Sequence, residues 1–375
     1  MNRIAILLNT SWYIYNFRRN LISELIKNNY EVIAIAPYDE YSNRLEQLGC
    51  KYFKLEINSK SKNPIYDLML LFRIRLLLEK NSPDLLLNFT IKPNVYGSLA
   101  ARSLGIKCIN NVAGMGTLFT EGFISRTILK FLFKISQLKA HTVFFQNIDD
   151  YNELTINNIV NKDICKLIPG SGVNLLDFPF SPIHSKHKDK LVFILIARMI
   201  RSKGVVELVE AGLQLAKKGY TNFRINLLGE LGINNPNAIT KSEMDDLCLN
   251  LFVSYLGKTD DVKYFIHNSD VVVLPSYYRE GTPKSLLEAL STGRPIITTD
   301  MPGCRDTVLH GVNGFLCKPK SVQDLTEKME AMLLMSAEDR KKMGKSSRKI
   351  AEEKYDERIV IDHYFEQIEK ALRIK

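Results

Sequence analysis

The sequence predicts an α/β protein built from two doubly wound parallel sheets. Short aliphatic and β-branched runs alternate with amphipathic helical segments along nearly the whole chain. Most of these runs are apolar at every position, as expected for parallel strands covered on both faces. The chain has 375 residues, which is long for one hydrophobic core and favours two domains.

The first domain is predicted over residues 1–175. The apolar run at Met1–Asn9 is too short for the core of a signal peptide and is assigned to the first strand. Residues Asn9–Phe17 are predicted to be a loop. The predicted strands are Ile4–Leu8, Glu31–Ala36, Tyr52–Glu56, Asp84–Asn88, Thr142–Phe145 and Lys166–Pro169, and the predicted helices include Arg18–Asn28, Glu40–Leu48 and Tyr66–Lys80.

A second domain is predicted over residues 191–355, after an irregular linker at 176–190. A helix over 356–375 can pack back on the first domain. The predicted strands are Leu191–Ile196, Phe223–Leu228, Val253–Tyr255, Asp270–Leu274 and Pro295–Thr299, and the predicted helices include Val205–Lys217, Lys241–Asn250 and Asp260–Asn268.

Net charge and cysteine usage restrict the partner and the compartment. The formal net charge is +10, and residues 1–175 hold 21 Lys and Arg against 14 Asp and Glu. That excess favours an anionic partner, such as a lipid diphosphate, a phospholipid surface or nucleic acid. The six cysteines have no metal-binding or redox spacing and indicate reduced thiols in a cytoplasmic protein. No run is long and apolar enough to span a bilayer.

The stretch from Ser276 to Gly293 carries the main functional signal. It follows a buried strand, and Thr282 is predicted to cap a helix with Pro283 at its first position. The first amides of a helix placed above strand ends form an anion site, for which phosphate is the usual occupant. Glu288 can accept hydrogen bonds from two ribose hydroxyls, and Glu280 from hydroxyls on a group attached to that phosphate.

Two cations are predicted to approach the same place. Arg198 follows the strand Leu191–Ile196, and Lys203 precedes Gly204 and the next helix. Two cations and a helix N-terminus together suit a diphosphate. The alternative is that these charged side chains are only solvated surface, which is common for glutamates on amphipathic helices.

Other protein classes fit the sequence less well. A dehydrogenase needs Gly-x-Gly-x-x-Gly after a strand, and neither Asn9–Arg18 nor Arg198–Gly204 has that glycine spacing. Aromatic and basic residues do not interleave as in nucleic-acid modules. The helix at 123–141, with Arg126, Lys130 and Lys134 among apolar residues, is predicted either to lie in a membrane interface or to be a core helix.

These motifs resemble the retaining glycosyltransferases of family 4. The resemblance rests on Arg198 to Lys203-Gly204, on Glu280 and Glu288, and on the segment Ile168–Phe178 (IPGSGVNLLDF). In the first half, SWYIYNFR, TIKPNVYG and GMGT resemble bacterial enzymes that add an N-acetylhexosamine to undecaprenyl-diphosphate-linked sugars. The resemblance implies the GT-B architecture, in which two Rossmann-like domains face each other across a cleft.

The resemblance also implies roles for individual residues. Arg198 and Lys203 would hold the donor diphosphate, Glu288 the ribose and Glu280 the transferred sugar. The remaining donor contacts would come from Gly281, Thr282, Pro283, Lys284, Ser285, Gly257 and Lys258. The lipid-linked acceptor would meet Ser11, Trp12, Arg18, Lys92, Asn94, Gly114 and Gly116.

The implied reaction is sugar transfer from a UDP-sugar with retention, for surface polysaccharide or glycan precursors such as capsule or O-antigen. The leaving diphosphate takes the acceptor proton, and no metal or cofactor is expected. The enzyme would work at the inner face of the plasma membrane. Alternatives are a nucleotide-sugar epimerase of the same architecture or an NAD-binding oxidoreductase.

The sequence departs from many relatives at two loops. Asn9-Thr10-Ser11-Trp12 replaces a double glycine after the first strand, and Val112-Ala113-Gly114 replaces a His-Gly pair. No histidine base is therefore expected.

Overall fold

The chain folds into two α/β units, each around one parallel sheet. The structure is a computed structural model, and it describes residues 1–59, 61, 63–116, 123–183 and 190–373. The first unit comprises Met1–Ser171 with Val360–Lys375, and the second comprises Gly172–Ile359. The predicted fold class is confirmed.

The first unit holds seven parallel strands in the order β3-β2-β1-β4-β5-β6-β7. The strands are β1 Arg3–Leu7, β2 Glu31–Ala36, β3 Lys51–Lys54, β4 Leu85–Phe89, β5 Lys107–Val112, β6 Thr142–Phe145 and β7 Cys165–Leu167. The helices are α1 Ser11–Lys27, α2 Ser42–Gln47, α3 Pro64–Asn81, α4 Ser98–Ser103, α5 Phe123–Gln137 and α6 Ile148–Ile156.

The second unit holds six parallel strands in the order β10-β9-β8-β11-β12-β13. The strands are β8 Leu191–Ile196, β9 Phe223–Leu228, β10 Val253–Tyr255, β11 Val271–Leu274, β12 Ile296–Thr299 and β13 Gly314–Cys317. The helices are α7 Val205–Lys217, α8 Lys241–Cys248, α9 Val262–His267, α10 Lys284–Thr292, α11 Val322–Leu334 and α12 Ala337–Ile350, and α13 Glu357–Arg373 follows them.

Helices cover both faces of each sheet, so most strands are buried throughout. In the first unit, α3, α4 and α5 share one hydrophobic cluster, whereas α1, α2 and α13 share the other. Helix α13 contributes Val360, Tyr364, Ile368 and Ala371, all buried, at intervals of four and three. The C-terminal helix thus completes one face of the first sheet.

The first helix begins earlier than the sequence predicted. Helix α1 starts at Ser11 because Thr10 caps it by accepting a hydrogen bond from the Tyr13 amide at 3.0 Å. Ile14, Leu21 and Leu25 then continue one buried stripe. The prediction of a loop over Asn9–Phe17 was wrong because this cap was overlooked.

Part of the predicted linker packs onto the second unit. The Phe178 carbonyl accepts hydrogen bonds from Ser291 Oγ at 2.5 Å and from the Arg348 guanidinium at 3.3 Å. Residues 184–189 of that linker lie outside the described part of the chain.

One glycine holds two loops of the second sheet against each other. Gly204 has a φ of +77°, and a Cβ built there would lie 2.3 Å from the Pro275 carbonyl oxygen. Strands β8 and β11 are neighbours, with Phe193 opposite Val271, so both loops leave the same edge. A side chain at position 204 would push them apart.

We expect Gly204→Ala to destabilise the second unit by about 2–4 kcal/mol, from left-handed strain and from the clash with Pro275. Urea unfolding measures the loss. The matched control is Gly219→Ala, where φ is +91° and no atom lies within 4 Å of the added Cβ. Equal losses in the two variants would show that the contact with Pro275 contributes nothing.

Candidate active site

The loops that follow β8 and β11 are joined by backbone hydrogen bonds. The Tyr277 amide donates to the Ser202 carbonyl oxygen at 3.0 Å, and Ser276 Oγ lies 3.2 Å from the same oxygen. Lys203 ends the short turn Arg201–Lys203 on one loop, and Glu280 lies on the other. The sheet edge therefore brings together two of the predicted residues.

Lys203 and Glu280 form an ion pair in the ligand-free chain. Their side chains are only 13% and 15% exposed, and Ser276 Oγ donates a further hydrogen bond to Glu280 Oε1 at 3.0 Å. Partial burial makes this pair stronger than a surface pair, which is worth little. The pair places a positive and a negative group side by side at the strand ends.

Glu288 lies in the second turn of α10 and is buried, with 7% of its surface exposed. Burial raises the pKa of its carboxyl to about 7, and nearby Lys284 opposes that change. Among the residues that the structure describes, none donates a hydrogen bond to this carboxylate. A carboxylate that receives no hydrogen bond from the protein can accept hydrogen bonds from the hydroxyl groups of a ligand.

The turn before α10 differs by one position from the prediction. Thr282 was predicted to cap the helix, but Pro283 is the cap, with φ −62° and ψ 123°, and the helix begins at Lys284. The loop after β12 restrains this turn, because a Cβ on Gly303 would lie 1.5 Å from the Gly281 carbonyl oxygen. Gly281 and Thr282 are buried there, and Ser285 is half-buried.

Arg198 and the loop after β10 lie along the same edge. Arg198 is exposed, and its guanidinium forms no ion pair within the described ranges. The Gly257 carbonyl oxygen accepts a hydrogen bond from the Gly229 amide at 2.8 Å. Nζ of the exposed Lys258 lies 3.6 Å from Oε1 of Glu230. The loops after β8, β9, β10 and β11 thus line one continuous edge.

In the first unit, Arg18 is buried rather than placed at a helix start. It is 5% exposed, and its guanidinium carbon lies 4.3 Å from the centre of the Phe89 ring and 5.8 Å from that of Tyr364. Its Nε has no hydrogen-bond partner in the described structure. Burial lowers the pKa of this guanidinium.

Other predicted acceptor residues are occupied by contacts within the first unit. Ser11 Oγ donates to the Pro37 carbonyl oxygen at 2.9 Å, and the Trp12 ring packs edge-on against Tyr13, Phe17 and Tyr41. Lys92 forms an ion pair with Asp67. Ser11 and Lys92 therefore stabilise the unit itself.

Asn94 is buried, and its Nδ2 donates to the Asn111 carbonyl oxygen at 2.8 Å while its Oδ1 has no partner in the described structure. Gly114 has a φ of +103°, and Gly116 is buried. Thr117 of the GMGT motif lies outside the described residues, as does the side chain of Arg126.

Sequence reasoning missed two side chains at these sites. Ser276, beside Glu280, was read only as the start of the loop, although a serine directly after a buried strand is a recognisable signal. Tyr364 lies against Arg18 but is 346 positions away in sequence, so no local pattern could have found it.

Two Rossmann-like units in one chain, the second with acidic and basic side chains at its strand ends, have the GT-B fold. The family described as "Glycosyl transferase 4-like" matches residues 3–147, and "Glycosyl transferases group 1" matches residues 179–350. Both descriptions agree with the resemblance inferred from the sequence.

Relatives and solved structures agree with that class. The chain is 30% identical, over 99% of both chains, to the N,N'-diacetylbacillosaminyl-diphospho-undecaprenol alpha-1,3-N-acetylgalactosaminyltransferase of Campylobacter jejuni. It is 27% identical, over 67% of both, to the UDP-Gal:alpha-D-GlcNAc-diphosphoundecaprenol alpha-1,3-galactosyltransferase of Escherichia coli. Anabaena HepE in complex with UDP-glucose has the same fold, with a TM-score of 0.82, 18% identity and coverage of 99% and 100%.

This chain belongs to the group 1 glycosyltransferases with a 4-like N-terminal half, and it is an enzyme that transfers sugars.

The raised pKa of Glu288 predicts a pH dependence of stability. The folded chain keeps this proton up to about pH 7, whereas the unfolded chain releases it near 4.5. Because the unfolded state then binds fewer protons, stability falls as pH rises from 4.5 to 7. The expected loss is about 3 kcal/mol.

Urea unfolding at pH 4 and pH 8 measures this difference. Glu288→Gln cannot titrate, so its stability should fall less than that of the wild type by the same amount. Identical pH dependence of the two proteins would contradict a buried carboxyl at this position.

Proposed function

We propose that this enzyme moves an N-acetylhexosamine from a UDP-sugar to an undecaprenyl-diphosphate-linked glycan, with retention of configuration and without a metal. The observation that carries the donor half is the edge of the second sheet. There, Arg198, Lys203 and Glu280 lie on the loops beside the buried Glu288. The acceptor class follows from the names of the two relatives, both of which act on undecaprenyl-linked sugars.

In this proposal, the residues of the second unit stabilise the leaving group. Arg198 and Lys203 bind the UDP diphosphate, and Lys203 exchanges part of its contact with Glu280 for a phosphate oxygen. The N-terminus of α10, at Lys284 and Ser285, adds partial positive charge. The leaving diphosphate takes the proton of the acceptor hydroxyl while the anomeric bond breaks.

The two glutamates bind the sugars on either side of the diphosphate. Glu288 accepts hydrogen bonds from the ribose, which supply the donors that its carboxylate lacks in the free chain. Glu280 accepts from hydroxyls of the transferred sugar, near Gly281 and Thr282. Gly257 and Lys258 lie along the same edge and contact the uracil base of the UDP-sugar.

Charge neutralisation by side chains supports transfer without a metal. The two cations would take the place that a divalent ion fills in metal-dependent phosphoryl and glycosyl transfer.

Exposed apolar side chains on two helices support the proposal that the enzyme acts on a membrane surface, the inner face of the plasma membrane. No helix in the described part of the chain is both long and apolar enough to cross a bilayer. Five side chains of α3, however, are between 47% and 70% exposed and share one helical face: Ile65, Leu68, Met69, Phe72 and Leu76.

Helix α5 also exposes the apolar side chains of Ile128 and Phe131, and Leu138, directly after its end, is exposed as well. Both helices pack through their buried sides into one hydrophobic cluster on the same face of the first sheet. Exposed apolar side chains with basic neighbours such as Lys134 are typical of helices that lie in a lipid interface. Only Phe133, Ser136 and Gln137 of the described α5 side chains are fully buried.

The transfer reaction is tested by incubating the protein with a panel of UDP-sugars and a sugar linked to a short polyprenyl diphosphate. We expect UDP release and a lengthened glycan only when both substrates are present, and unchanged rates in EDTA. Replacing Arg198 or Lys203 by alanine should lower kcat about 10²–10³-fold, because each removes a donor to the leaving charge.

The matched control is Arg201→Ala, on the same loop, where the guanidinium pairs with Glu243. That variant should keep near-normal turnover. Normal turnover by Arg198→Ala or Lys203→Ala would contradict the assigned roles, and UDP release or epimer formation without acceptor would contradict transfer.

Membrane contact is tested by sedimentation with anionic phospholipid vesicles. The double variant Leu68→Ser, Phe72→Ser should lose most vesicle binding because it removes exposed apolar area from α3. The control is Leu249→Ser, Leu251→Ser, which removes two exposed leucines from the second unit. Equal binding by both double variants and the wild type would exclude α3 as the membrane surface.

A further inference from the structure

The first unit contains a buried positive charge without an anion. Arg18 lies on α1 with its guanidinium over the Phe89 ring, and no carboxylate of the described residues pairs with it. An unpaired buried ion is strongly unfavourable, because its lost hydration is not replaced. Contact with the faces of Phe89 and Tyr364 offsets only part of that loss.

Unsatisfied polar atoms lie at the adjoining strand ends. Leu7 of β1 is opposite Asn88 of β4, so Asn9 and Thr90 follow their strands side by side. The side-chain oxygens of both residues are buried without a hydrogen-bond partner in the described structure. Thr90 also has a φ of +69°, a conformation that a threonine rarely adopts and that is common at binding sites.

The hydroxyl of Tyr364 is a further donor. It accepts a hydrogen bond from Asn111 Nδ2 at 2.7 Å, and within the described ranges no acceptor takes its own proton. Burial raises the pKa of this phenol, so it keeps the proton. Arg18 and Tyr364 therefore offer two kinds of hydrogen-bond donor beside the Phe89 ring, and Thr90 directly follows Phe89 in the chain.

We propose that Arg18, Thr90 and Tyr364 form an anion site in the first unit that binds a phosphate group of the lipid diphosphate acceptor. This inference rests on the proposed function and names the chemical group of the acceptor that the first unit holds. A phosphate has several acceptor oxygens and restores the counter-charge that Arg18 lacks. Because Tyr364 is on α13, the C-terminal helix forms one wall of the site.

The site is tested by thermal unfolding of the full chain with farnesyl diphosphate, inorganic pyrophosphate or UDP. Farnesyl diphosphate should raise the Tm of the wild type and of Arg19→Met by several degrees, and should not raise that of Arg18→Met. Arg19→Met is the matched control, since it removes the same charge from the neighbouring position of α1. UDP should raise the Tm of all three proteins equally.

The responses to the three ligands distinguish the ways in which the proposal could fail. An equal response of Arg18→Met and wild type to farnesyl diphosphate overturns the site. A response to pyrophosphate without one to farnesyl diphosphate overturns the assignment to a lipid. A response to UDP that depends on Arg18 assigns the site to the donor and overturns the inference. No response to UDP in any protein refutes the proposed function itself.

Stability without ligand separates a binding role from a structural one. Arg18→Met should unfold at the same temperature as the wild type or higher, because an uncompensated buried charge is removed. A lower Tm overturns the inference by showing that Arg18 stabilises the fold. Tyr364→Phe keeps the ring packed on Phe144 and removes only the hydroxyl. It should raise the acceptor KM at least tenfold with kcat within a factor of two, and an unchanged KM overturns its part in the site.

Discussion

The ion pair between Lys203 and Glu280 links the two loops on which the donor edge depends. It forms because β8 and β11 are neighbours and because Gly204 lets its loop approach Pro275 closely. The backbone contact fixes the distance between the loops, and the ion pair then satisfies two half-buried charges. Under the proposed function, a ligand phosphate would replace part of that pairing without moving either loop, as a preorganised site requires.

Both units carry a buried ionisable group that the fold leaves without a hydrogen-bonded partner among the described residues. Glu288 in the second unit is an acceptor without donors, and Arg18 in the first is a cation without an anion. Proteins keep such groups at a cost in stability when binding supplies the missing partner. The two groups have opposite chemistry, one suited to hydroxyls and the other to an anion. Under the proposed function, they would account for donor and acceptor recognition by the same physical principle.

Sequence patterns could predict what depends on neighbouring residues. Most of the strands and the carboxylate helix were predicted because apolar runs and turn residues are local signals, although strand β5 was missed. Glu288 followed from its place in that helix. Arg18 was identified as a site residue but given the wrong environment, because the cap at Thr10 was overlooked. The contact with Tyr364 depends on a helix from the far end of the chain, so it could not be predicted. Nor could the exposed stripe of α3, since a helix apolar on all sides is normally buried.

The central claim is that UDP binds along the carboxyl edge of the second sheet. Amide hydrogen exchange of the full chain, with and without UDP, tests it most directly. The account predicts slower exchange confined to the loops at residues 198–204, 256–259 and 276–288. Protection confined to the first unit, or no protection anywhere at saturating UDP, would contradict it.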